Sequence, residues 1–304
     1  MPRIDDYLDS LGDARYFSTL DANCGCWQIG VAPADKDKTT FTSHRGLYRF
    51  KRMPFVFMSA PATFQRAIDV IISTVRFKCA LTYLDDIVIY FPTFEQHILH
   101  LTMVLRLLDE VGVSLKLSKC SFAALQVQYL GYKVGRNGLQ VDESKVEAVL
   151  RAKPPTTKTG LRRFLNMTGF YRRFIKQYST IVAPLNKYLK GDQEETFELN
   201  EEALHSHTAL KEAITSAPVL ALPRKTGAYV IEADASASQL GAQLLQEQED
   251  KTYGPIGFWS RPCTAAERNY CSTEREALAI VWSVKLCRPY LERTKFIVRS
   301  DHQA

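Results

Sequence analysis

The chain has 304 residues, 46% of them hydrophobic and 24% charged, with a formal net charge of +6. That balance is globular rather than disordered, and the length predicts about two domains. The longest stretches without Asp, Glu, Lys or Arg reach 13 residues, as at 53–65, short of the ~18 apolar residues of a membrane-spanning helix.

Residues 2–11 read as a short helix and 16–22 as a strand. Strand patterns at 38–43 and 46–52 flank His44-Arg45-Gly46, a hairpin turn. Ser59-Ala60-Pro61 opens a helix to about Thr74, with Pro in its first turn. Residues 79–90 hold two short strands split by Asp85-Asp86. An amphipathic helix at 94–111 is closed by Gly112. A strand pair at 127–141 turns at Arg136-Asn137-Gly138, and Pro154-Pro155 marks a boundary. Helices follow over 158–190 and 200–217. Strands at 227–234, 239–247 and 254–260 then lead to a helix at 272–288 and a strand at 294–300. Ala304 comes four residues after that strand, which reads as a fragment.

The seven cysteines are scattered, so a disulfide framework is not expected and a reducing compartment is. Cys24-Gly25-Cys26 has no second pair at zinc-site spacing. The opening MPRIDDYLDSLGDAR has no apolar secretory region. The expected location is intracellular, in cytoplasm or nucleus, neither secreted nor in a membrane.

From Arg151 to Lys190 there are ten Lys or Arg and no acid, whereas Asp192 to Glu212 carries seven acids and one Lys. The first stretch suits a polyanion such as a nucleic-acid backbone; it equally suits a solvated helix face. Aromatics interleave with the bases in Arg162-Arg163-Phe164 and Phe170-Tyr171-Arg172-Arg173-Phe174. Phe164, Phe170, Phe174 and Tyr178 also fit helical spacing toward a core.

Leu84-Asp85-Asp86-Ile87 sets adjacent acids within apolar β-formers. Buried charge is costly unless paired or metal-bound, and strand neighbours point to opposite faces. Asp21 ends an apolar strand in the same way. Three strand-end acids suit two divalent cations that activate a 3′-hydroxyl and stabilise a leaving pyrophosphate. The plainer alternative is an exposed hairpin turn and a cap. A second set comprises Asp234 at the end of 229–233, Glu276 on a helix face shared with Ile280, and Asp301 after 296–300. Ordinary strand-end acids would look the same. Glu232 shares a strand face with Asp234 and is a candidate outer-shell group.

Tyr83-Leu84-Asp85-Asp86 resembles the signature box of reverse transcriptases. Phe17-Ser18-Thr19-Leu20-Asp21 is similar to the catalytic motif that precedes it. Gly46-Leu47-Tyr48, Met53-Pro54-Phe55, Ala60-Pro61-Ala62-Thr63-Phe64-Gln65 and the primer-grip-like Tyr129-Leu130-Gly131-Tyr132 follow in the family's order. Leu161 to Leu189 resembles the thumb. Asp234-Ala235-Ser236, Ala266-Glu267-Arg268-Asn269-Tyr270 and Ser300-Asp301-His302 resemble the ribonuclease H boxes. Together they resemble the Pol polyprotein of gypsy-type long-terminal-repeat retrotransposons over nearly the whole chain.

The resemblance implies an α+β fold. A reverse-transcriptase palm with an antiparallel sheet spans 1–141, thumb and connection helices span 142–222, and a C-terminally truncated ribonuclease H-like α/β domain spans 223–304. It implies RNA-directed DNA polymerase and ribonuclease H activities with Mg2+ or Mn2+. The metal carboxylates would be Asp21, Asp85 and Asp86 in one centre and Asp234, Glu276 and Asp301 in the other. Ala22, Asn23 and Cys26 would lie at the incoming nucleotide, and Leu130, Gly131 and Tyr132 at the primer grip. Arg162, Arg163, Arg172, Arg173 and Lys176 would face nucleic acid. Implied partners are an RNA or DNA template–primer, an RNA–DNA hybrid, a dNTP and other Pol segments such as protease and integrase.

Four departures bear on activity. The family's fingers region upstream of the first palm helix is largely missing, which should weaken nucleotide binding. Cys26 stands where the family has an aromatic residue that screens against a ribose 2′-hydroxyl. Val56 replaces a Gly after Met-Pro-Phe. The last ribonuclease H acid and final helices are absent. The alternatives are a catalytically dead remnant that only binds nucleic acid, and a host protein reusing the fold as a scaffold.

Overall fold

In the computed structural model, residues 3–191, 195–292 and 294–300 are described. The chain divides into two compact units. The first runs to Leu130 and adds Val134–Arg136; the second takes Gly131–Lys133 and continues from Asn137.

In the first unit, helix α1 (Ile4–Asp9) precedes strand β1 (Tyr16–Asp21). Strands β2 (Phe41–Ser43) and β3 (Gly46–Tyr48) form the expected hairpin, shorter than predicted. Its turn ends at Gly46, whose φ of +120° suits a residue without a Cβ. Helix α2 (Ala60–Ile71) carries Pro61 in its first turn, where no amide hydrogen is needed. Its Ala60, Phe64 and Ile68 are buried at four-residue steps.

Strands β4 (Ala80–Tyr83) and β5 (Asp86–Phe91) form a tight hairpin. Helix α3 (Phe94–Glu110) buries His97, Leu101, Val104 and Leu108 along one stripe. After it comes β6 (Ser121–Ala124), which the strand patterns above do not include. The sheet order is β4-β5-β1-β6, antiparallel throughout. Leu20, Ala80, Ile87 and Ile89 of this sheet share a core with Phe64 and Ile68 of α2 and Leu101 and Val104 of α3. Each such leucine, isoleucine, valine or phenylalanine side chain contributes about 1.5–3 kcal/mol on burial, and together they fix the strand ends that carry the acids.

The unit boundary falls in the stretch with β7 (Gln126–Tyr129), β8 (Tyr132–Gly135) and β9 (Gly138–Val141). The turn at 136–138 is as expected, but a second reversal stands at Leu130 and Gly131, with φ of 51° and 79°. Helix α4 (Glu143–Arg151), also absent from the predicted elements, is capped by Asp142, which accepts the Ser144 N–H. Helices α5 (Lys158–Phe170), α6 (Tyr178–Lys187) and α7 (Glu201–Thr215) follow. Thr157 and Asn200 cap α5 and α7. Val149, Leu161, Phe164, Leu185 and Leu210 form the helical core.

Strands β10 (Tyr229–Ala235), β11 (Gln239–Glu247) and β12 (Tyr253–Pro262), helix α8 (Ser272–Leu291) and β13 (Phe296–Arg299) complete the second unit. Its sheet order is β12-β11-β10-β13, with β10 and β13 parallel and the other pairs antiparallel. Tyr229, Ile231 and Ala233 of β10 pack with Cys287, Leu291 and Ala279 of α8. The fold is therefore α+β. Among the described residues, no helix is long and apolar enough to cross a membrane.

Candidate functional site

The β1–β5 ladder places Asp21 directly opposite Asp86. Tyr83 pairs with Asp86 across the β4–β5 hairpin, so Leu84 and Asp85 form its two-residue turn. Ala22 N–H donates to Asp85 O at 3.0 Å, which ties that turn to the end of β1. Asp21 and the adjacent pair Asp85-Asp86, more than sixty residues later, thus meet at one sheet end. Leu20 and Ile87 face each other in this ladder and share one core, so a one-residue slip of either strand would turn its residue out of it.

The electrostatics register the crowding. Burial, then the charges of Asp21 and Asp86, raise the Asp85 pKa. Desolvation of the carboxyl by the packed sheet end, then Asp21, raise that of Asp86, although its side chain keeps an exposed edge. Lys119 offsets part of this: its Nζ lies 3.0 Å from Asp21 Oδ2. Asp85 packs against Gly25, where a Cβ would sit 2.3 Å from Asp85 Oδ1. Three hard oxygen donors suit a divalent cation such as Mg2+, so the donor chemistry fits. Asp21 is turned to Lys119, however, and among the described residues no three His, Cys, Asp or Glu side chains are grouped to hold a metal ion.

Other predicted site residues are placed differently. Ala22 is 2% exposed, and Asn23 N–H donates to Ser114 O at 2.9 Å. With Ala22 N–H on Asp85, neither amide is free to meet a phosphate. Cys24 adopts φ of 52° and starts a 3-10 turn that folds Cys26 into the core beside Leu20 and Phe64. Cys26 therefore lines no open surface, contrary to its expected place at a sugar. Val56 is 90% exposed, and its Cβ meets no packed surface of the unit.

In the second unit, Tyr132 is buried and stacks on Phe170 at 4.9 Å, and Tyr171 OH donates to Gly131 O at 2.9 Å. Arg162, Arg163, Arg172 and Lys176 are exposed. Arg173 corrects the expectation of a surface base: it is 8% exposed, its Nε donates to Ile256 O at 3.0 Å, and its guanidinium lies over Trp259. The 3-10 turn 172–174 turns successive side chains in different directions, which a charge count does not resolve.

Asp234 accepts from Gln177 Nε2 at 3.3 Å, and Glu232 pairs with Arg299 at 3.5 Å. Both line a cavity of about 380 Å³ with Lys176, Phe258 and Trp259. Glu276 sits on α8 and accepts from Ser300 Oγ at 3.3 Å. Odd-numbered residues of β10 face α8, so Asp234 points from the other side of the strand. Asp301 lies outside the described residues. Gln65, absent from the predicted site, lies 2.7 Å from Leu84 N; its place in Ala60-Pro61-Ala62-Thr63-Phe64-Gln65 was the available signal.

Residues 2–134 match the family model "Reverse transcriptase (RNA-dependent DNA polymerase)", and 199–298 match "RNase H-like domain found in reverse transcriptase". The whole chain is 37% identical to the retrovirus-related Pol polyprotein from transposon opus of Drosophila melanogaster, covering 31% of it. It is 33% identical to that from transposon gypsy of the same species, covering 30%, and 31% identical to the Tf2-3 polyprotein of Schizosaccharomyces pombe, covering 23%. The chain thus spans less than a third of these relatives. The foamy viral protease-reverse transcriptase dRH in complex with double-stranded DNA superposes with a TM-score of 0.90 at 20% identity, over 100% of this chain and 53% of that one. The foamy viral protease-reverse transcriptase in complex with an RNA/DNA hybrid gives 0.83 at 20% identity, over 99% of this chain and 40% of that one. At that identity these likenesses bear on the fold. The first family model lies almost wholly within the first unit and the second wholly within the second unit: residues 2–134 carry the reverse transcriptase (RNA-dependent DNA polymerase) domain, and residues 199–298 the RNase H-like domain found in reverse transcriptases.

Proposed function

We propose that the chain carries out template-directed nucleotidyl transfer as an RNA-directed DNA polymerase, with Asp21, Asp85 and Asp86 as its metal-binding carboxylates. The meeting of Asp21 and Asp86 across β1 and β5, with Asp85 in the adjoining turn, carries this reading. A divalent cation bound there supplies Lewis acidity toward a primer 3′-hydroxyl and a leaving pyrophosphate. Asp86 and Asp21 come from facing strands and hold their carboxylates at fixed height, so positioning is built into the sheet. Lys119 supplies the only counter-charge described at this cluster. Exposed Arg162, Arg163, Arg172 and Lys176 would neutralise backbone phosphates of a template–primer duplex.

The division into palm to 141, thumb helices to 222 and RNase H-like domain beyond is part of the same proposal. Within the last, Asp234, Glu276 and Asp301 are the proposed carboxylates for an RNA–DNA hybrid, a grouping that must bridge the sheet edge because Asp234 faces away from α8, which carries Glu276. A dNTP is the proposed co-substrate, and Mg2+ or Mn2+ the metal. Primer extension on an RNA template, with Asp85→Asn as control, tests the reading. Extension by the parent chain and its loss in the variant support it. Salt-sensitive duplex binding without extension, under Mg2+ and Mn2+ alike, would leave a nucleic-acid-binding remnant.

A further inference from the structure

The turn that presents Asp85 is held by a side chain outside the carboxylate set. Leu84 is the first of its two residues and has φ of 54°. A positive φ at that position favours Gly, and a branched side chain there is strained. Such strain persists only where the surroundings over-determine it.

Gln65 of α2 supplies that determination. It is 5% exposed, and its Oε1 accepts Leu84 N–H at 2.7 Å. Its Nε2 donates to Thr82 O at 2.8 Å and lies 3.1 Å from Thr82 Oγ1 and 3.0 Å from Asp69 Oδ1. One amide therefore clasps the strand before the turn and the turn's own N–H. Its orientation is fixed, because a flip would set oxygen against a carbonyl and a carboxylate. Asp69 is anchored in turn: it accepts from Thr82 Oγ1 at 2.9 Å and pairs with Arg76 at 3.3 Å. Arg76 also donates to Tyr7 OH at 3.1 Å. The clasp thus runs from α1 through α2 to the β4–β5 turn.

We infer that Gln65 is a positioning residue of the polymerase centre, holding Leu84 in its left-handed conformation and thereby setting Asp85 against Asp21 and Asp86. The inference rests on the polymerase reading and adds to it a residue that touches no reacting atom.

The test uses the full chain with Gln65→Met, of similar length but without acceptor or donor. Hydrogen exchange at Leu84 N–H should speed by at least about tenfold, since its acceptor is gone, while Ile87–Ile89 stay protected. Primer-extension kcat should fall about 10²-fold, the scale of a ~1 Å misplacement, with KM for primer–template nearly unchanged. A second change, Leu84→Gly, takes the left-handed conformation without strain and should restore most of kcat. Should Gln65→Met fail to fold, Gln65→Glu keeps an acceptor toward Leu84 and should retain its protection. Unchanged Leu84 exchange and kcat in Gln65→Met, or a loss that Leu84→Gly leaves untouched, would overturn the inference. A parent chain that extends no primer counts against the polymerase reading, and the exchange measurement then decides the role of Gln65 by itself.

Discussion

Lys119 Nζ stands 3.0 Å from Asp21 Oδ2, an ammonium group at the sheet end where Asp21, Asp85 and Asp86 converge. The Asp21 hydrogen bond, then its charge, raises the Lys119 pKa, so the ammonium stays charged throughout the neutral range. It competes with any cation for the same carboxylate. Lys119→Met should therefore tighten Mn2+ binding, by no more than about tenfold because the ammonium is exposed and screened by salt. Electron paramagnetic resonance titration of Mn2+ reads this directly; weaker binding in the variant would refute it.

Gly25 leaves room for Asp85. A Cβ there would lie 2.3 Å from Asp85 Oδ1 and 2.6 Å from Phe64 Cζ. Gly25→Ala must push the carboxylate or the ring aside, and overpacking of this kind costs about 1–3 kcal/mol. The expected result is a modest fall in Tm and a far larger fall in primer extension, about 10²-fold, as Asp85 leaves its place. Calorimetry and extension on the same preparation distinguish the two effects. Equal activity in parent and variant would show that Asp85 tolerates the shift.

The acid cluster was legible because Asp21 closes one apolar strand and Asp85-Asp86 interrupt another apolar run, and because these segments resemble ordered reverse transcriptase boxes. The Asn137-Gly138 turn was legible from its dipeptide, whereas the reversal at Leu130 was not, because an apolar residue with φ of 51° carries no turn signal. Helix α4 lies in Glu143–Arg151, where only Val149 is buried. Its apolar stripe is too thin to read, although Asp142 marked its start. Cys26 and Arg173, placed at the site by resemblance, both lie in 3-10 turns, where the facing of a side chain is set by the turn and is not carried by a place in a motif or by a charge count.

Arg172 and Arg173 should respond differently to alanine. Arg173 is buried and donates to Ile256 O, so its loss removes a charge-assisted hydrogen bond and packing on Trp259. The expected destabilisation is about 2 kcal/mol, measured by denaturant unfolding, with little effect on the salt dependence of duplex binding. Arg172 is exposed. Arg172→Ala should leave Tm unchanged and reduce the slope of log affinity against log salt by about 1. The reverse pattern would place Arg173, not Arg172, against phosphate.

Acid should loosen both units through buried histidines. His97 is fully buried, lies 2.7 Å from Ser18 Oγ, and has its pKa lowered by burial and then by His100. His207 packs on Phe164 at 4.4 Å between ring centres, and burial, then Lys211, lowers its pKa. Each ring is held neutral when folded, whereas the unfolded chain protonates it near pH 6.5. Between the folded and unfolded values the unfolded state binds more protons, so stability rises with pH there and falls as pH drops below about 6.5. The slope is at most about 1.4 kcal/mol per pH unit for each histidine. Tm should thus be flat above about pH 7.5 and decline toward pH 5.5, with His97→Gln and His207→Gln each flattening the decline. Protonating His97 also forces Ser18 Oγ to accept from Nε2 while it already accepts the Ala123 N–H at 2.9 Å, so β1 and β6 should lose exchange protection first. A Tm independent of pH across that range, or a decline equally steep in both variants, would assign the acid sensitivity to other groups.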